Sequence, residues 1–276
     1  MQTISENACF GGTQGVYTHA STPCACDMTF GLFLPREAED GPVPLLWYLS
    51  GLTCTHENAI TKAGAQAWAA EQGIALVFPD TSPRGDDVAD DEAYDLGKGA
   101  GFYVNATEAP WAPHYRMWDY IIEELPKVLD HSFALDMSRQ GITGHSMGGH
   151  GALTMAMSLP GRFRSVSAFA PISNPTASDW GRKQFSAYLG NNEEAWAAHD
   201  ATLLMQQKGF DGPVLIDTGS KDQFIDLLQP EALAAATAAR RQQATLRMQP
   251  GYDHSYFFVS TFMEEHVAFH ADALYA

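Results

Sequence analysis

The chain has 276 residues, 45% hydrophobic and 18% charged, an ordinary globular composition that excludes disorder along its length. A chain this long can bury a large core without disulfides. Its net charge of −17, from 33 acidic and 16 basic side chains, repels phosphate backbones and argues against nucleic acid as a partner.

Residues 1–7 contain no basic segment followed by an apolar run, and no stretch reaches the ~20 apolar residues of a membrane helix. A soluble, cytosolic protein is expected, with no membrane partner. Four cysteines, Cys9, Cys24, Cys26 and Cys54, are too sparse for a disulfide framework. A strand would put Cys24 and Cys26 on one face with no second pair to complete a metal set, so reduced structural thiols are expected. Residues 28–34 read as a strand, and 44–50 as a near-continuous apolar strand of a sheet covered on both faces. Residues 58–72 read as an alanine-rich helix ending near Gly73, and 74–79 as another buried strand. A long loop follows over 80–113, punctuated by Gly85, Gly97, Gly99 and Gly101, and loops this long are usually functional or mobile. Five of the seven residues 86–92 are acidic, the mark of a solvated loop.

Residues 115–129 read as a helix that Pro126 kinks or breaks. A short strand over 140–143 precedes a helix beginning just after Ser146, and 164–170 is the next strand. Residues 171–189 read as irregular, 191–205 as helical, 213–217 as a strand and 227–243 as a strong alanine-rich helix. The last strand is 244–248 and the last helix 255–271. With no internal repeat or linker, strands alternating with helices predict one α/β domain over 1–276, a mostly parallel central sheet with helices on both faces.

Gly144-His145-Ser146-Met147-Gly148 matches G-x-S-x-G. A serine on a tight strand-to-helix turn needs small neighbours two residues away on each side, so that strand and helix can approach and the hydroxyl can project above the sheet. The strand before it and the small-residue helix after it supply that context, so Ser146 is the expected nucleophile of an α/β-hydrolase fold. A hydroxyl needs a base to take its proton, and in this fold the acid and then the base follow the serine in the chain. His254 lies between the last strand and the last helix, where the base belongs. Asp222 follows the penultimate strand and is favoured as the acid. Asp217 and Asp226 compete, but Asp217 lies inside the strand, where its side chain would face a helix, and Asp226 starts the next helix, where an acid complements the helix dipole. The oxyanion hole requires two backbone donors, for which Met147 N–H and, after Gly51, Leu52 N–H are the candidates. His266 and His270 share a helix face four residues apart without an evident third metal ligand, and solvated or capping histidines are expected.

Together these segments resemble the S-formylglutathione hydrolase (esterase D) family over residues 10–269. The matching stretches are Trp47-Tyr48-Leu49-Ser50-Gly51-Leu52-Thr53-Cys54-Thr55-His56-Glu57-Asn58, Asp80-Thr81-Ser82-Pro83-Arg84-Gly85, Gly99-Ala100-Gly101-Phe102-Tyr103-Val104, the elbow through Ala152, and Gly251-Tyr252-Asp253-His254-Ser255-Tyr256-Phe257-Phe258. The resemblance implies a cytosolic thioesterase of formaldehyde detoxification that turns S-formylglutathione into glutathione and formate and also accepts small aryl esters. It carries the family's triad onto Ser146, Asp222 and His254 and its oxyanion hole onto Leu52 and Met147. It places the family's thiol-reagent-sensitive cysteine at Cys54, and it implies a homodimer. Many relatives carry a further acidic residue in the stretch before Asp222, where this chain reads Gly219-Ser220-Lys221.

The expected chemistry is two-step acyl transfer through an acyl-enzyme, requiring no metal or organic cofactor. A formyl group calls for a small acyl pocket, which Trp180 and Phe102 could close. On so acidic a protein, glutathione's carboxylates need local cations, and Lys62, Arg84 and Arg116 are the candidates. A broad-specificity short-chain carboxylesterase would share the triad and accept longer acyl chains, an acyltransferase would prefer an alcohol over water, and a non-catalytic relative would lack a triad member.

Overall fold

The computed structural model describes residues 1–276. Its strands are β1 (Gln2–Cys9), β2 (Gly12–Ser21), β3 (Cys26–Leu34), β4 (Val43–Leu49), β5 (Ala75–Pro79), β6 (Leu135–Gly144), β7 (Ser165–Phe169), β8 (Val214–Gly219) and β9 (Ala244–Gln249). All nine join one sheet in the order β1-β2-β3-β5-β4-β6-β7-β8-β9. The pairs β1–β2, β2–β3 and β3–β5 are antiparallel, and every pair from β5 through β4 to β9 is parallel. β4, β5 and β7 are buried along their whole lengths, the reason their sequences are apolar without alternation. β7 is covered by the helix Met147–Ser158 on one face and by the helix Tyr256–Tyr275 on the other.

The structure departs from the sequence reading in several places, each with a local cause. β1 and β2 were not expected. β1 is polar and exposed on both faces, so it carries no burial pattern, and the backbone ladder to β2 alone defines it. Its only sequence signal is the turn at Phe10 and Gly11, both at positive φ. The expected helix 58–72 is two helices, His56–Lys62 and Ala65–Gln72, parted by Gly64 at φ 67°. The expected irregular stretch 171–189 contains the helix Asp179–Leu189, started by Ser178 Oγ accepting from Gly181 N–H at 3.0 Å. The expected helix 227–243 begins instead at Pro230, because Gln229 takes a left-handed conformation. Pro126 does not break its helix. It is the second residue of Leu125–Ser132, and the preceding Tyr120–Glu124 widens to π geometry, which tolerates the missing N–H. Cys24 and Cys26 do not share a strand face. Cys24 is buried in a turn and only Cys26 is on β3, and all four cysteines are free.

His266 and His270 are neither solvated nor capping groups. Both are fully buried under β7 and β8. His270 Nδ1 lies 2.7 Å from Ser165 Oγ and its Nε2 2.8 Å from Ser167 Oγ. His266 Nδ1 lies 2.9 Å from Ser167 Oγ, and its Nε2 donates to Asp217 Oδ2 at 3.2 Å. Asp217 therefore faces a helix, as its place inside the strand predicts, and Arg247 completes its pairing with two hydrogen bonds of 2.6 Å. Those partners hold the Asp217 carboxyl below the usual range against the effect of burial.

Burial lowers His266 and pushes His270 well below the ordinary histidine value, and it takes buried His150 to about 3 and His199 to about 4. An unfolded chain takes up protons on these rings below about pH 6.5, whereas the folded chain resists them. Stability is thus full above that value and falls on acidification, by up to about 1.4 kcal/mol per pH unit for each such histidine. Both His150 ring nitrogens lack a hydrogen-bond partner, so His150→Leu should flatten the slope without loss at neutral pH. Melting temperatures of both proteins across this range check it, and parallel curves would refute it.

Candidate active site

Ser146 stands between the end of β6 and the helix Met147–Ser158 with φ 58° and ψ −118°, a conformation costly for any residue with a side chain. The turn is locked from three sides. Ser146 N–H donates to Phe169 O at 2.9 Å, His145 N–H to Leu49 O at 3.0 Å, and Gly148 N–H to His145 O at 2.8 Å. The two flanking glycines are steric requirements. A Cβ on Gly144 would lie 2.3 Å from Gly148 O, and one on Gly148 would lie 1.9 Å from Leu49 O. The helix Met147–Ser158 then aims its N-terminus at the space above Ser146.

Ser146 and His254 line a cavity of about 330 Å³, with Trp180, Phe224 and Tyr256 among its walls. Asp222 stands behind them, with its carboxylate closed to solvent. His254 Nδ1 donates to Asp222 Oδ2 at 2.6 Å, and Asp222 Oδ1 accepts from Phe224 N–H at 2.8 Å. The structure thus joins Asp222 and His254 directly and places Ser146 in the same cavity, its hydroxyl making no hydrogen bond within the protein. Asp217 and Asp226 lie elsewhere, the first in the buried network under β8 and the second in the first turn of Ile225–Leu228.

Leu52 also lines the cavity, and its N–H has no acceptor in the protein. Met147 is the first residue of its helix, so its N–H has no partner one turn back. A Cβ on Gly51 would come 3.1 Å from Ser146 Cβ, so the loop after β4 rests against the elbow. The arrangement offers two free backbone donors beside a hydroxyl and an imidazole, the components of acyl transfer.

Cys54 is a buried wall of the cavity, with Sγ 3.9 Å from Tyr256 Oη, and burial pushes its thiol up. Lys62 does not line the cavity, but its Nζ lies 5.9 Å from the centre of the ring of Tyr256, which does. Arg84 does not line the cavity. Its Nε binds the Asp80 carboxylate and its Nη2 donates to Cys54 O at 3.0 Å, so it braces the loop after β4 from behind. Arg116 is also outside the cavity, paired with Asp119 at 2.6 Å. Trp180 lines the cavity with its indole N–H unpartnered, whereas Phe102 lies behind it, ring centres 6.2 Å apart. The sequence reading missed His145, Tyr94, Phe224, Leu228 and Tyr256 as cavity walls. Three of these stand within two positions of Ser146, Asp222 or His254, and that adjacency was the available signal.

An Esterase family model matches residues 21–269. The chain is 66% identical over 273 residues to the S-formylglutathione hydrolase of Paracoccus denitrificans (strain Pd 1222), covering 99% of this chain and 98% of that one. The S-formylglutathione hydrolase of Agrobacterium tumefaciens has a similar structure, with TM-score 0.97 and 47% identity over 99% of this chain and 100% of that one. A fluorophosphonate-binding serine hydrolase of Staphylococcus aureus shares the fold at TM-score 0.75 and 18% identity, over 94% of this chain and 98% of that one.

The contact between Gly148 and Leu49 O leaves no room for a methyl group. Gly148→Ala should cost at least about 1–3 kcal/mol through forced backbone movement and lower esterase turnover by ~10²-fold or more. Soluble yield and rates on p-nitrophenyl acetate check this, and a variant matching the parent in both would refute the steric account.

Proposed function

The chain belongs to the S-formylglutathione hydrolases of the esterase family and has the α/β-hydrolase fold, and from that premise we propose that Ser146, His254 and Asp222 carry the hydrolysis. The reaction is that of a serine thioesterase, S-formylglutathione and water giving glutathione and formate. The observation that supports the triad most directly is the 2.6 Å contact of His254 Nδ1 with buried Asp222, in a cavity shared with a serine on a strained elbow.

His254 takes the Ser146 proton as the oxygen attacks the formyl carbon. Asp222 fixes the ring tautomer, Nδ1 protonated and Nε2 free to act as base, and stabilises the imidazolium that forms. Leu52 and Met147 N–H receive the oxyanion. The thiolate of glutathione leaves with a proton from His254. Water, deprotonated by the same ring, then cleaves the formyl ester and restores Ser146. Trp180 bounds the acyl side, and Cys54 fills the wall beside Tyr256 as a buried thiol. No step calls on a metal or organic cofactor.

Lys62 is the cation of this site that suits the glutathione moiety. It stands over the ring of Tyr256, a wall of the cavity, and forms no salt bridge, whereas Arg84 and Arg116 are committed to Asp80 and Asp119. The reading takes 1–276 as one domain, acting in the cytoplasm as a homodimer in formaldehyde detoxification. No helix is long and apolar enough to cross a membrane.

A second reading, a short-chain carboxylesterase, has one observation in its favour: the apolar walls Trp180, Phe224 and Leu228 enclose more space than a formyl group fills. Initial rates on S-formylglutathione and on aryl esters from acetate to octanoate separate the two. The formyl thioester should be preferred, and Ser146→Ala should lose at least ~10³-fold on every substrate. Preference for longer acyl chains would favour the second reading, and an active Ser146→Ala would refute the triad. For Lys62→Ala, KM for S-formylglutathione should rise about 3–10-fold, as for loss of one partly exposed ionic contact, with KM for neutral aryl acetates unchanged. An equal change on both substrates would remove Lys62 from substrate recognition.

A further inference from the structure

His145 is a buried titratable side chain in the cavity wall to which the proposed mechanism gives no work. Its backbone is pinned by the elbow, through His145 N–H to Leu49 O and Gly148 N–H to His145 O, so its ring has little freedom to move away. That ring lies 4.6 Å from the His254 ring, centre to centre, tilted by 41°. Phe224 flanks the His254 ring too, 5.1 Å away and nearly perpendicular at 79°. The His145 Nε2 atom is buried with no hydrogen-bond partner, so a proton there would be left unpaired. Burial and the neighbouring His254 hold His145 well below the ordinary histidine value, which favours the neutral ring.

A neutral aromatic ring within about 6 Å of a cation attracts it, most strongly away from water. His254 becomes a cation during each acyl-transfer step. We propose that His145 is a positioning residue, whose neutral ring flanks His254, holds it toward Ser146 and stabilises its charged form in the transition state. The proposal rests on the triad reading. Asp222 fixes one edge of the His254 ring through Nδ1, and a single hydrogen bond still allows the ring to pivot about it. His145 and Phe224 restrict that pivot. Phe224 is tied to the same acid, its N–H donating to Asp222 Oδ1, so one short segment sets both the carboxylate and one flanking ring.

The titratable groups around the pair are few. Asp222 faces His254 from the loop after β8. Asp253 precedes His254 in the chain, its carboxylate bound to Ser255 N–H and Oγ. Tyr256, at the start of the last helix, faces His145 with ring centres 5.7 Å apart, and burial pushes its phenol up. Beyond Tyr256 stand Cys54, 3.9 Å from its hydroxyl, and Lys62 over its ring. None of these flanks the His254 ring as His145 does.

The test compares His145→Leu, which removes the ring, with His145→Phe, which keeps one, using S-formylglutathione across the pH range. In the Leu variant kcat should fall about 3–10-fold at nearly constant KM, and the acidic limb of the kcat/KM profile should move about 0.5–1 unit lower, as loss of a desolvated cation–ring contact requires. The Phe variant should restore both. Phe224→Leu, which removes the other ring, serves if His145→Leu does not fold, with a fall in kcat and rescue by Phe224→Tyr expected. A folded ring-less variant with parental kcat and an unmoved acidic limb would overturn the proposal, as would a Phe variant as impaired as the Leu variant. His254→Ala run alongside keeps the two readings apart. If it retains activity the triad reading itself fails, and if it is inactive while His145→Leu is unimpaired, only the positioning role is lost.

Discussion

The site depends on one strained residue. Ser146 holds a backbone conformation costing of order 1–3 kcal/mol that would relax without its surroundings. Carbonyls at the ends of two neighbouring strands, Leu49 of β4 and Phe169 of β7, accept the N–H groups of His145 and Ser146. The turn can exist only where β4, β6 and β7 end together, and that convergence follows from their parallel registers. The same geometry turns the Met147 end of the following helix toward Ser146 and brings the Gly51 loop against the serine, so the proposed nucleophile and both candidate oxyanion donors have a common origin.

The long connection over 80–113 contributes as a brace. Gly99 O accepts from Thr53 N–H at 2.9 Å, Gly99 N–H donates to Ser82 Oγ at 2.8 Å, and Thr81 Oγ1 and Arg84 both donate to Cys54 O. These contacts fix the loop bearing Leu52 from the side opposite the cavity. Thr53 itself has φ 65°, and Gly99 is where its backbone can pass, since a Cβ there would sit 3.0 Å from Thr53 Cα. Arg84, read from the sequence as a cation for substrate, is spent on this support. The acidic run within the same connection is solvated, with Asp86, Asp87, Asp90, Asp91 and Glu92 exposed, and only Val88 turned inward.

The parts legible in the sequence share a property: their signal is local. The buried strands β4, β5, β7 and β8 appear as apolar runs because both faces are covered, and the elbow appears as glycines at fixed offsets, of which Gly144 avoids a clash inside the motif, with Gly148 O, while Gly148 avoids one with Leu49 O at the end of β4. Ser146, Asp222 and His254 follow from where such strands end. Elements without a local signal were missed or misread. β1 is polar and solvent-bathed, and a backbone ladder is invisible in side-chain pattern. The helix Asp179–Leu189 hides behind a capping serine, a glycine and a tryptophan. The spacing of His266 and His270 is right for a shared helix face but silent on what that face meets.

By itself, the sequence determined much of the alternation of elements and pointed to the proposed nucleophile, acid and base, since each of these readings rests on local pattern or on chain order. Tertiary structure decided which side chains gather around the site and which are committed elsewhere. His145 and Phe224 flank His254, Lys62 stands over the Tyr256 ring, Arg84 and Arg116 turn to carboxylates, and His266 and His270 close a buried network with Asp217. Those outcomes depend on contacts between residues far apart in the chain, as Lys62 is from Tyr256 and His145 from His254, and no spacing rule along the chain encodes which side chain meets which across a folded core.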